Sequence, residues 1–147
     1  MPTSPRRTRR LLLDTHVWVW AVEGLVSRMR ANVVAEIERA AQGGLLYVAS
    51  ISAWEVAMLV KKGRLTLSRD VASWIAAARH APGASVVALT VPIALDSTGL
   101  ADLSTHDPAD RFIAATARAL SAHLVTCDEP LLKFGATGQL LTVDARP

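Results

Sequence analysis

Hydrophobic and polar positions along the chain change period repeatedly, and the changes predict alternating strands and helices. A short apolar run at 10–13 ends in Asp14 and reads as the first, central strand. A helix or turn carrying Trp18 and Trp20 begins at 17–22. Residues 28–42 place Met29, Val33, Val34, Ile37 and Ala41 at helical spacing, with Gly43-Gly44 as the stop. A second strand is predicted at 45–49 and a helix at 52–62 stopped by Gly63. A further helix at 69–81, with Val71, Trp74, Ile75 and Ala78 on one face, closes at Pro82-Gly83. Then come a third strand at 85–89, a short helix at 92–100 and a strong helix at 108–122 with Phe112, Ile113, Thr116, Ala117 and Leu120 inward. A fourth strand at 124–126 and a fifth, at an edge, at 140–143 complete the set.

Strands that alternate with helices imply right-handed crossovers and a mostly parallel sheet covered on both faces. The expected architecture is a single three-layer α/β/α domain at 11–147, with a sheet of about five strands. No internal repeat, low-complexity segment or interdomain linker interrupts it. At 147 residues the chain is long enough to bury a real core. A single cysteine, Cys127, excludes an internal disulfide and reads as a buried inert thiol in a reducing cytoplasm. No stretch approaches a membrane span. The lead at 1–10 is basic, but only three leucines follow it before Asp14. It reads as a flexible tail rather than a signal segment.

Charge sharpens the picture at four places. Asp14 and Asp128 each follow a short apolar strand, whereas Glu55 and Asp110 each fall in the first turn of a predicted helix. In an open parallel sheet those places meet, because the carboxyl ends of the strands face one crevice. Each acid has an ordinary account. Asp14 and Asp128 suit turns, Ser52 and Glu55 form a capping-box pattern, and Asp107 and Pro108 start a helix that carries Asp110 at its third position. Those accounts do not require the four to converge. Carboxylates that do converge repel one another unless a hard cation such as Mg²⁺ or Mn²⁺ is bound through oxygen. His16 lacks a second His or Cys at zinc spacing. Net charge is +3, so acids gathered into one pocket leave a positive surface suited to a phosphodiester substrate.

Four blocks, Leu11-Leu12-Leu13-Asp14-Thr15-His16-Val17-Trp18, Ser52-Ala53-Trp54-Glu55 with Lys62-Gly63-Arg64-Leu65, Asp107-Pro108-Ala109-Asp110-Arg111-Phe112, and Leu124-Val125-Thr126-Cys127-Asp128, resemble the signature blocks of PIN-domain ribonucleases. They are most similar to the VapC-type toxins of type II toxin–antitoxin systems. The resemblance implies a metal-dependent endoribonuclease in which Asp14, Glu55, Asp110 and Asp128 hold Mg²⁺ or Mn²⁺. It also implies a structured RNA substrate such as tRNA or rRNA, a cognate antitoxin, a homodimer and a cytoplasmic location. Two positions depart from the usual pattern: Ala109 is small, and His106 stands one place late. Asp107, Thr15 and Thr126 read as supports of the acids. Arg111 reads as a partner of Asp107, a phosphate contact or a solvated surface charge, and Lys61, Lys62 and Arg64 as further phosphate candidates. Hydrolysis by in-line attack of water predicts 5′-phosphate and 3′-hydroxyl ends. A housekeeping RNA-processing nuclease, a receiver-like signalling module and a non-catalytic binding module are the other readings. The receiver-like module wants adjacent acids after the first strand, where this chain has Asp14-Thr15.

Overall fold

The computed structural model describes residues 8–80, 83–103 and 107–147. Most of the basic lead, the Ala81-Pro82 pair and His106 therefore lie outside the described residues. Within them, five strands form one parallel sheet: β1 (Leu11–Leu13), β2 (Leu46–Ala49), β3 (Ser85–Val87), β4 (His123–Thr126) and β5 (Thr142–Asp144), in the order β3-β2-β1-β4-β5. Seven α-helices connect or flank them: α1 (Thr15–Glu23), α2 (Ala31–Gln42), α3 (Ser50–Lys61), α4 (Val71–Ala78), α5 (Val91–Thr98), α6 (Pro108–Leu120) and α7 (Glu129–Ala136).

The central strand shows why the fold has three layers. Leu11, Leu12 and Leu13 are all fully buried, as expected of a parallel strand covered on both faces. Alternation sends Leu11 and Leu13 into one core with Val17, Trp18, Val33, Ile37 and Trp74, supplied by α1, α2 and α4. Leu12 points the other way, into a second core with Ile113, Ala114 and Ala117 of α6 and Leu131 and Phe134 of α7. β4 repeats the pattern, with Leu124 in the second core and Val125 in the first.

Several boundaries move. The segment read as one helix over 28–42 is a short 3-10 turn at Val26–Arg28 followed by α2, because Met29 and Arg30 are extended between them. The fifth strand starts two residues later and ends one later than expected, at Thr142–Asp144, still at the edge. The stretch expected to be a loose tail is held at its end: Arg9 pairs with Glu36 at 2.6 Å, and Arg10 donates to the Leu120 carbonyl at 3.0 Å.

Strand order fixes where a site forms. From β1 the chain steps outward through β2 and β3, then crosses back to place β4 on the other side of β1. The carboxyl ends of β1 and β4 therefore flank the topological switch point, where open α/β sheets leave a crevice.

Candidate active site

Asp14 enters the crevice directly from β1. Its backbone N–H donates to the Val125 carbonyl of β4 at 3.0 Å, closing the sheet beneath it. Its side chain caps α1 by accepting from the Thr15 N–H at 2.8 Å, and the Thr126 hydroxyl donates to its other oxygen at 2.6 Å. Burial raises the Asp14 carboxyl despite those two hydrogen bonds, and the charge on Asp128 adds to the rise.

Asp128 follows β4 by two residues and caps α7, accepting from the Leu131 N–H at 3.2 Å. Its own N–H donates to the Thr126 hydroxyl at 3.0 Å. Thr126 thus ties the two strand-end acids together, and Asp107 caps α6 through the Ala109 N–H at 3.0 Å, as its sequence position suggested. Glu129 turns away to pair with Lys133 at 3.1 Å.

The capping box expected at Ser52 and Glu55 does not form. α3 begins at Ser50, two residues earlier, which leaves Ser52 buried in the first turn and Glu55 beyond it. Both side chains instead meet Thr15, whose hydroxyl lies 2.5 Å from a Glu55 oxygen and 3.0 Å from the Ser52 hydroxyl. A contact between α1 and α3 has displaced the local cap. Arg111 also departs from expectation. Its guanidinium donates to the carbonyls of Leu100 at 2.9 Å and Leu103 at 3.1 Å, fastening the α5–α6 connection. It is a structural clasp rather than a solvated or phosphate-facing charge.

All four expected acids line one cavity of about 300 Å³, together with Asp107 and Thr15. Carboxylate oxygens of Glu55, Asp107 and Asp110 lie within 4.8 Å of one another. Asp107 was read as a support, yet its oxygen belongs to this group; two acids in one helical turn were the available signal. Burial pushes Glu55 up to about 7, against the Thr15 hydrogen bond and with the charges of Asp107 and Asp14. Burial likewise pushes Asp110 up to about 8, and the charges of Asp14, Asp107, Asp128 and Glu55 all act in the same direction. These carboxyls resist ionising together without positive charge among them. An all-oxygen donor set of this kind fits a hard divalent cation rather than zinc; the nearby Cys127 thiol is held protonated, its pKa raised by burial.

A family model of the PIN domain matches residues 11–136, from the first leucine of β1 to the end of α7. The chain belongs to the PIN-domain family. Within it, the chain is 36% identical over 122 residues to Ribonuclease VapC22 of Mycobacterium tuberculosis, an alignment covering 82% of this chain and 88% of that protein. Its fold is similar to VapBC2 from Rickettsia felis, solved bound to a promoter DNA fragment, with a TM-score of 0.68 at 18% identity over 92% of this chain and 98% of that one. It is also similar to FitAcB from Neisseria gonorrhoeae, with a TM-score of 0.62 at 19% identity over 91% and 96%. At such identities the structural likeness speaks to the PIN fold.

Proposed function

We infer that this PIN domain is a divalent-cation-dependent endoribonuclease and the toxin of a toxin–antitoxin pair. The observation that carries the chemistry is the gathering of Asp14, Glu55, Asp107, Asp110 and Asp128 around one cavity at the switch point. Similarity to a VapC ribonuclease supports RNA as the substrate, and the shared fold with the VapBC2 and FitAcB structures supports an antitoxin partner.

Asp14, Glu55, Asp110 and Asp128 hold Mg²⁺ or Mn²⁺, with Asp107 beside them. A cation held there would supply Lewis acidity at the phosphate and lower the pKa of an attacking water. The protein's own contribution is order. Thr126 fixes the rotamer of Asp14, and the Thr15 hydroxyl fixes Glu55, so the carboxylates are aimed before substrate arrives. With water rather than the RNA's own 2′-hydroxyl as the nucleophile, and the 3′-oxygen as the leaving group, the products would carry 5′-phosphate and 3′-hydroxyl ends. The chain acts as a homodimer in the cytoplasm on structured RNA such as tRNA or rRNA. No helix among the described residues is long and apolar enough to cross a membrane.

The test is cleavage of total tRNA and rRNA with Mg²⁺ or Mn²⁺, against EDTA, for the wild type, Asp14→Asn and Asp110→Asn. Loss of at least about 100-fold is expected for each variant, the upper end of what removal of a group merely supporting a ligand costs. Full cleavage in EDTA, or by both variants, would sink the reading. For the toxin role, induction should arrest growth, and a small antitoxin-like reading frame is expected just upstream, whose co-expression relieves the arrest.

A further inference from the structure

A second groove of about 570 Å³ adjoins the acidic cavity and shares two walls with it, His16 and Trp20. These residues stand four apart on α1 and therefore on one face, with ring centroids 6.1 Å apart and planes tilted by 48°. His16 is exposed and Trp20 half-buried. Beyond the rings, Arg28 comes from the 3-10 turn after α1 and Arg64 from the loop after α3. Both arginines are exposed, and neither enters an ion pair among the described residues, whereas Arg9, Arg118 and Arg146 all do.

The groove is built rather than incidental. Its far wall is held by the Arg64 N–H on the Leu59 carbonyl at 2.9 Å and by the Ser68 N–H on Glu23 at 2.9 Å. The same Glu23 oxygen accepts from the Trp74 indole at 3.2 Å, which fixes this carboxylate in the wall; its single negative charge remains and is outnumbered by the two arginines of the groove. Leu65 and Leu67 anchor the loop onto the core. Free cations and an aromatic shelf, set side by side and leading into a carboxylate cavity, match an anionic chain bearing flat bases.

The geometry points to this groove as a subsite for single-stranded RNA: an unstacked nucleotide next to the scissile phosphate lies on the Trp20–His16 shelf, and Arg28 and Arg64 hold the phosphates that follow. A paired base would present no free face to the shelf, so a loop or bulge is selected over a duplex. The inference rests on the ribonuclease reading and names which part of an RNA the site takes.

The experiment measures binding without cleavage, by anisotropy of a fluorescein-labelled single-stranded oligouridylate in EDTA across a salt series. The doubly substituted Arg28→Gln/Arg64→Gln protein should lose about 1.4 from the magnitude of the slope of log K against log salt, two phosphate contacts on a single strand. Trp20→Ala should bind roughly 5- to 150-fold more weakly, Trp20→Phe should retain most of the affinity, and an abasic oligomer should weaken wild type but not Trp20→Ala. The exposed arginines can be removed without touching the core, so their arm stands even if Trp20→Ala folds poorly by circular dichroism. Unchanged slope and affinity in these variants would overturn the proposal. So would equal affinity for a blunt RNA duplex. Cleavage in Mg²⁺ is scored separately. Binding that follows these expectations in a wild type that never cleaves refutes the nuclease and keeps the groove; cleavage by variants with wild-type binding refutes the groove alone.

Discussion

Asp144 and Asp110 occupy comparable places, one at the carboxyl end of β5 and the other in the first turn of α6, yet the protein treats them in opposite ways. Arg146 reaches Asp144 at 2.6 Å and holds its carboxyl below the usual range. Asp110 is half-buried among other acids, and its pKa is pushed up to about 8. The same division runs across the molecule: Glu36, Asp96 and Glu129 at the surface each have a basic partner. In the crevice, Asp14 and Glu55 are held by hydroxyls and a backbone N–H, which orient a carboxylate without neutralising it. The lesson is that Asp144, Glu36, Asp96 and Glu129 are each matched by a basic side chain as folded, while the acids of the crevice are arranged for charge that arrives from outside.

The largest test exchanges function for stability. Asp110→Asn should abolish most cleavage, by at least about 100-fold, while raising the melting temperature of the metal-free protein, because it removes a carboxylate opposed by burial and by four neighbouring acids. A variant that melts lower than wild type in EDTA would contradict the contrast just drawn. Next come the orienting hydroxyls. Thr126→Val and Thr15→Val should each cost about 10- to 100-fold in cleavage or in the Mn²⁺ concentration required, with little change in the RNA affinity measured in EDTA. Removing the clasp in Arg111→Ala should lower stability by about 1.5–3 kcal/mol through lost hydrogen bonds to a charged group, read by urea denaturation.

A smaller effect is the pH dependence. Folded Glu55 and Asp110 hold their protons above the ordinary values near 4, so the stability they contribute is fully present below about pH 4 and is lost as pH rises through about 7 and 8. Metal-free protein should therefore melt lower at pH 8.5 than at pH 5.5, and saturating Mg²⁺ should narrow the gap by binding the ionised forms. A His123→Gln background isolates the effect, because burial lowers the His123 pKa and that works in the opposite direction. The smallest change belongs to the surface: Asp144→Asn should alter stability by no more than about 1 kcal/mol.

Much of this was legible in the chain itself. Three leucines before Asp14 suffice for a central strand, and Asp107-Pro108 marks the start of α6 to the residue, because both signals are local. The supports of the site were harder to read because they are not local. Ser52 and Glu55 look like a cap until Thr15, 37 and 40 positions away, claims both side chains. Arg111 looks solvated until the carbonyls of the α5–α6 connection fold back over it. Asp107 satisfied its capping role so well that its place beside Glu55 and Asp110 was easy to pass over.

The hydrogen bond from Thr126 to Asp14 joins residues 112 positions apart, and β1 pairs with β4 over a similar span. During synthesis the first strand leaves the ribosome long before its partner exists. The pocket therefore stays unassembled until Thr126 and Asp128 have emerged. For most of its elongation a nascent chain of this protein lacks the assembled acidic cavity, and a partner that recognises that cavity has nothing finished to bind until translation is nearly over.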